Sequence, residues 1–239
     1  MYGGVDVVEN ASILLGICAG RLVALEPSLL VEPATAAAFV RLAERAAVKG
    51  FDLRAASAFR DYDRQALIIN QKWTGERPVS DTSGQLLERE RMSDRQWLEA
   101  ILRFSALPGT SRHHWGTDLD IWDASAVSVD YRPRLEPSEY APESVFAELT
   151  GWLDELIAAD NAEGFYKPYD MDRGGVAPEP WHISYRPVAT SLQKDQCIDI
   201  CWPLWRGEPD PKGHCHEAMA MLMVLERYGE AMFNRFVLI

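Results

Sequence analysis

Cysteine is scarce in this chain, and four thiols in 239 residues are too few for the disulfide scaffold of a small secreted domain. Basic residues are outnumbered, 24 Lys and Arg against 36 Asp and Glu. The resulting net charge of −12 argues against a nucleic-acid or anionic-membrane surface, because phosphate binding needs clustered cations. No apolar run reaches the roughly 18 residues of a membrane span. The N-terminus, Met1-Tyr-Gly-Gly-Val-Asp6, has no basic segment ahead of the apolar Ile13-Leu-Leu-Gly-Ile-Cys18, so no signal peptide is visible. As written, the sequence is expected in the cytoplasm; the periplasm or cell wall is the alternative if a leader is missing. Internal repeats and low-complexity tracts are absent too.

What is there is the composition of a globular protein, 47% apolar and 10% aromatic, with enough chain to bury a sizeable core. A single domain over residues 1–239 is expected, with an insertion at 74–92 and a C-terminal helical extension at 190–239. Helical signals cover residues 8–20, closed by Gly20, and 34–49, opened by Pro33 and capped by Gly50. Phe51 to Ser57 reads as a strand, and Asp61 caps a helix running to Trp73. Ser93 with Gln96 forms a capping box for a helix over 94–105. Thr117 to Trp122 alternates as a strand, with Asp118 and Asp120 on one face and Leu119 and Ile121 on the other. An amphipathic helix is expected over 143–160, with Val145, Phe146, Leu149, Trp152, Leu153, Leu156 and Ile157 as its stripe. Phe165-Tyr166, Gly175–Ala177 and Trp181–Tyr185 are short strand candidates. A last helix over 216–237 carries Met219, Leu222, Met223, Leu225, Met232 and Phe236.

The chemistry concentrates in two stretches. Ser111 to Asp123 holds two histidines and three carboxylates; Pro178 to Tyr185 holds Glu179 and His182, three positions apart, in an apolar strip. A catalytic zinc takes three protein ligands, commonly imidazole nitrogen and carboxylate oxygen, and keeps a fourth position open for water. His113, Asp120 and His182 supply that set, with Gly116 giving the backbone freedom to turn two of the side chains toward one ion. Hydrolysis also needs a base that takes a proton from water and returns it to the leaving amine, and Glu179 is placed for that role. His114 is expected to point elsewhere, and Trp115 and Trp122 to pack in the core. A separate group, Cys197, Cys201, His214, Cys215 and His216, has the donors for a second, structural zinc, but its spacing fits no standard pattern. Free thiols are the expected state there, with a second ion or a disulfide as the alternatives.

The pattern Ser111-x-His113-x-x-Gly116-x-x-x-Asp120 with Glu179-x-x-His182 resembles the zinc D-alanyl-D-alanine carboxypeptidases of the VanY type, in the superfamily of lysostaphin-like enzymes and the sonic hedgehog signalling domain. Ser57-Ala-Phe-Arg60 followed by Gln65 on a helix resembles a third block of that family, in family order. The resemblance implies that His113, Asp120 and His182 bind one catalytic zinc and that Glu179 is the base and acid. It implies that Arg60 holds the carbonyl oxygen or the substrate carboxylate, and that Ser111, Gln65, Ser57 and Trp181 line the substrate pocket. The implied partner is a peptidoglycan peptide or another peptide ending in D-Ala-D-Ala. Alternative readings are an L-alanyl-D-glutamate endopeptidase of the same superfamily and a zinc-containing binding module without turnover. One position departs from the family: Asp118 stands where a small residue is usual. It either orients a ligating histidine or makes the site more negative. The fold class expected is α+β, a small antiparallel sheet carrying the zinc site and flanked by helices.

Overall fold

The computed structural model describes residues 3–238, with side chains from residue 8 onward. Its frame is an antiparallel sheet of four short strands in the order β3 (Leu53–Ser57), β4 (Asp118–Asp123), β6 (His182–Tyr185), β5 (Phe165–Tyr166). A separate hairpin joins β1 (Val23–Glu26) to β2 (Leu29–Val31). Side chains alternate across a pleated strand, so the sequence of β4 sends Leu119 and Ile121 one way and Asp118 and Asp120 the other. The apolar pair joins Ile183, Leu53 and Ala55 in a core closed by α2 (Pro33–Val48) and α6 (Ala147–Ala158). The carboxylates share their face with His182 and Ser184, and the β4–β6 register sets Asp120 opposite His182 and Asp118 opposite Ser184.

A second core packs on the polar side of the sheet, built from α3 (Tyr62–Thr74), α4 (Asp94–Leu102), α8 (Trp202–Trp205) and α9 (Leu222–Phe236). The remaining helices are α1 (Gly3–Leu14), α5 (Pro137–Tyr140) and α7 (Arg186–Lys194). Local caps account for several boundaries. Glu32 caps α2 through Thr35 N–H, Asp61 caps α3 through Arg64 N–H, and Ser93 with Gln96 forms the expected capping box of α4. Among the described residues no helix is long and apolar enough to cross a membrane.

Five expectations are corrected. The first helix ends at Leu14 and not at Gly20, because the chain turns at Gly16, whose φ of +73° suits glycine. The fourth ends at Leu102, three residues early. Residues 175–177 form no strand; Ala177 N–H bonds to the carbonyl of Arg103, and Gly175 is pressed against the backbone of Arg235. The last helix begins at Leu222, and Met223 is 85% exposed, while Leu225, Met232, Phe233 and Phe236 are the residues that bury. Val145 likewise lies outside the stripe of α6, exposed ahead of the helix. Periodicity alone does not say which of two apolar edges meets the rest of the protein.

Trp205 ties the C-terminal segment to the site's surroundings. Its ring is fully buried, and its indole N–H donates to the carbonyl of Pro108 at 2.9 Å, in the turn that leads into the His113 segment. Truncating a buried tryptophan forfeits both packing and that bond. Trp205→Ala is expected to cost about 3–5 kcal/mol, read as a lower urea midpoint; a loss below about 1 kcal/mol would show that the segment does not support the fold.

Candidate metal centre and active site

A short 3₁₀ turn, Arg112–Trp115, delivers the residues before β4. It closes at Gly116, φ +72°, where an added Cβ would lie 2.7 Å from Leu22 Cδ2 and 3.1 Å from Glu32 N. Only glycine fits there without displacing the hairpin. The paired histidines of this turn face opposite ways. His113 Nδ1 donates to the carbonyl of Ala58 at 2.8 Å, which leaves Nε2 bare and pointed at Asp120. His114 is buried: Nδ1 donates to the carbonyl of Arg60, and Nε2 accepts from Gly109 N–H at 3.0 Å. Burial lowers its pKa to about 3, so this ring is a neutral clamp between two backbone segments.

Three potential ligand atoms converge. His113 Nε2 lies 3.3 Å from Asp120 Oδ2, and His182 Nδ1 lies 3.2 Å from Asp120 Oδ1; one ligand atom from each residue falls within 4.8 Å of the others. Donors each about 2.0–2.1 Å from a tetrahedral zinc stand roughly 3.3 Å apart, so the spacing fits. The bonding pattern fits as well. Asp120 Oδ1 is buried and makes no hydrogen bond, and both imidazoles have spent their N–H groups on other acceptors. Burial would lower the pKa of His182, but the carboxylates of Asp118, Asp120 and Glu179 outweigh it and hold that pKa well above the usual value. Asp120 is likewise driven below the usual carboxylate range, the neighbouring histidines overcoming its burial. The cluster calls for positive charge between these side chains, and a divalent cation meets that demand.

Asp118 occupies the layer behind. Its Oδ1 accepts from His182 Nε2 at 2.9 Å and from Arg112 Nε at 2.8 Å, and its Oδ2 accepts from Thr117 Oγ1 at 2.6 Å and Ser184 Oγ at 3.1 Å. Burial alone would raise its pKa; Arg112 first, then His182 and Thr117, bring it below the usual range. Arg112 is itself buried, donating to Ser184, Tyr166 and Gln193 and lying over the ring of Trp115. Of the two readings open from sequence, the structure therefore supports the orienting one: Asp118 fixes the tautomer of His182, and Arg112 neutralises the added charge. Sequence reasoning passed over Arg112 because it occupies an unspecified position between Ser111 and His113.

The other sequence candidates gather around one cavity of about 440 Å³, whose wall includes Arg60, Ser111, His113, Asp120, Glu179 and Trp181. Glu179 Oε2 lies 3.3 Å from His182 Nδ1, and its backbone N–H is held by the carbonyl of Tyr169. Arg60 donates to Gln65 Oε1 at 2.9 Å and Ser57 Oγ at 3.2 Å, and Gln65 is anchored in turn to the carbonyl of Ala106. Gln65 and Ser57 thus contact Arg60 and do not form the cavity wall, whereas Trp181 does, backed by the ring of Tyr140. Tyr169, not anticipated, lines the cavity with its ring 5.0 Å from that of His182. The cysteines are free and scattered: Cys201 is buried, Cys215 exposed, and His216 pairs with Asp63 and Asp210. Among the described residues, His113, Asp120 and His182 form the single group with metal-ligand spacing.

If Asp118 holds His182 for the ion, Asp118→Asn lowers zinc affinity about 10–100-fold in competition with a chromophoric chelator, while Glu179→Gln, outside the ligand set, changes it far less. Equal affinity in Asp118→Asn and wild type would rule the orienting role out.

The D-alanyl-D-alanine carboxypeptidase family model, VanY, matches residues 28–188. Two curated proteins of Haemophilus influenzae, both described as uncharacterized, are similar in sequence. One is 37% identical over 103 residues, 43% of this chain and 77% of the relative; the other is 50% identical over 70 residues, 29% of this chain and 48% of the relative. Among solved structures, VanYB in complex with D-alanine-D-alanine has a TM-score of 0.49 at 22% identity, covering 74% of this chain and 85% of that one. A zinc-bound variant of a vancomycin-resistance D,D-pentapeptidase has a TM-score of 0.48 at 23% identity, covering 74% and 86%. The LdcB LD-carboxypeptidase has a TM-score of 0.45 at 22% identity, covering 74% and 73%. Running from β2 into α7, the family match takes in His113, Asp120, Glu179 and His182, and the chain belongs to the VanY family of D-alanyl-D-alanine carboxypeptidases.

Proposed function

We propose that this protein is a zinc-dependent carboxypeptidase that hydrolyses peptidoglycan-type peptides ending in D-Ala-D-Ala. The observation that carries the reading is the meeting of His113, Asp120 and His182 with Glu179 and Arg60 on one cavity, within a chain of this family. When bound by the three ligands, zinc supplies Lewis-acid polarisation of the scissile carbonyl and a lowered pKa for water.

The chain's own groups do the rest. Glu179, on the cavity wall beside His182, takes a proton from the attacking water and returns it to the departing amine nitrogen. Arg60 is held by Gln65 and Ser57 so that its guanidinium reaches the cavity at a set angle, where it steadies negative charge on the carbonyl oxygen or holds the substrate carboxylate. Such a donor contributes most when its position is fixed before the substrate arrives, and the two side-chain bonds provide that. Trp181 and Ser111 shape the wall around the cleaved bond.

The test is release of D-alanine from a peptide ending in D-Ala-D-Ala. Chelation should abolish it and zinc restore it. Glu179→Ala is expected to reduce kcat by about 10²–10⁴-fold, and Arg60→Met by about 10²–10³-fold, with zinc still bound in both. Equally slow release by metal-loaded wild type and Glu179→Ala would sink the mechanism. Release of a D-glutamate-containing fragment, with no D-alanine, would shift the assignment to the endopeptidase reading.

A further inference from the structure

Glu179 is delivered by a loop. Between β5 and β6, residues 167–181 form neither helix nor strand, and the backbone N–H of Glu179 bonds the carbonyl of Tyr169 at 2.9 Å, drawing together the ends of an excursion over residues 169–179. Three of its residues, Tyr169, Val176 and Glu179, stand on the wall of the cavity beside the metal centre. Its tip, residues 170–174, is exposed. Such a segment opens locally at little cost unless something ties it down. A catalytic group displaced by about 1 Å loses much of its effect, so what ties this loop down matters for the chemistry.

Two arginines from separate helices do so. Arg103, the C-cap of α4, donates to both carboxylate oxygens of Asp172 and to the carbonyl of Gly175, while its own carbonyl accepts from Ala177 N–H at 2.8 Å. Arg235, in the last turn of α9, donates from Nε to the carbonyl of Gly174 at 2.6 Å and pairs with Glu99 of α4 at 3.2 Å. The backbone of α9 closes on the same place: a Cβ added to Gly175 would lie 2.4 Å from the carbonyl oxygen of Arg235. Asp172 also accepts from Gly174 N–H at 2.7 Å, which fixes the turn that offers these carbonyls. An exposed ion pair between two side chains contributes little. Here each guanidinium also holds a main-chain carbonyl, and a hydrogen bond from a charged donor is among the stronger ones. The family match ends at residue 188, and α9 lies beyond it.

Resting on the peptidase reading above, we infer that Arg103 and Arg235 are positioning residues for Glu179: from α4 and α9 they hold the tip of the 169–179 loop and so keep the Glu179 carboxylate where the proton transfers take place. The C-terminal extension thereby sets turnover as well as supporting the fold. Neither arginine belongs to the cavity wall, so their effect falls chiefly on kcat.

Full-length, zinc-loaded Arg103→Met, Arg235→Met and the double variant are compared with wild type; methionine keeps an aliphatic stem and removes the donors. Amide hydrogen exchange over residues 170–178 is expected to rise about tenfold in each single variant, with exchange in β4 and β6 unchanged. The kcat for D-alanine release is expected to fall about tenfold in each single variant and about 10²-fold in the double, with KM and zinc affinity within about twofold of wild type. A thermal melt checks that the variants are folded at the assay temperature. Arg235→Lys, which restores one donor, should recover part of the loss, and Arg227→Met, elsewhere on α9, should change neither readout. Unchanged exchange in the double variant overturns the brace. Faster exchange with unchanged kcat, or a loss of kcat that tracks a loss of folded protein or of zinc, overturns the positioning of Glu179. A wild type that releases no D-alanine fails the carboxypeptidase reading and the positioning with it, whereas the exchange result stands or falls by itself, so the two failures are told apart.

Discussion

Asp118, Asp120 and Glu179 are three buried carboxylates gathered around one imidazole, and the architecture depends on how their charge is compensated. Carboxylates removed from water are stable only when hydrogen bonds and positive charge replace the lost hydration. The protein answers in two layers. Behind the ring, Asp118 is satisfied by Arg112, Thr117, Ser184 and His182, a closed network with its own cation. In front, Asp120 keeps Oδ1 without a hydrogen bond; His182 Nδ1 points at that oxygen and His113 Nε2 at the other. The closed layer makes the open one rigid. An unpaired buried oxygen is costly in isolation, and here it is the feature that makes the cluster fit a metal ion.

The same logic runs outward from the centre. His114 clamps the carbonyl of Arg60 to the turn at Gly109, and Arg60 N–H bonds the carbonyl of His113, so the loop carrying Arg60 and the turn carrying the ligands move as one piece. Gly16 belongs to this assembly: an added Cβ would come within 2.3 Å of His114 Nδ1. The adjacent histidines therefore divide the work, one available to a metal and one holding the backbone that positions the guanidinium. The second core, with Trp205 reaching Pro108, braces that turn from the far side.

Much of this was legible in the sequence where the determinant is local. The caps at Asp61 and Ser93 and the alternation of Thr117 to Trp122 each depend on neighbours a few residues apart, and the corresponding elements stand close to where they were expected. Misplaced boundaries, at residues 14, 175–177 and 222, lie where the partner is distant: the ring of His114, the backbone of Arg235, the core met by Leu225. The candidate ligands were readable because donor types recur at set spacings. Lys72, Arg77 and Arg112 were not, since an isolated cation on a helix or loop reads as a solvated surface residue until the fold shows what surrounds it.

By itself, then, the sequence offered His113, Asp120, His182 and Glu179 as a candidate set, with Arg60 added by the family resemblance, and the α+β class of the frame that carries them, because side-chain chemistry and backbone periodicity are properties of short stretches. Tertiary structure decided what each group faces. Strand register set Asp120 against His182, and the meeting of β4, β6 and the 3₁₀ turn made Asp118 a buried acceptor with Arg112 as its cation. The placement of α3, and of the turn that follows it at Gly75, made Lys72 and Arg77 part of the cavity wall. Electrostatic strength depends on distance and on exclusion from water, and neither exists until distant segments of the chain have met.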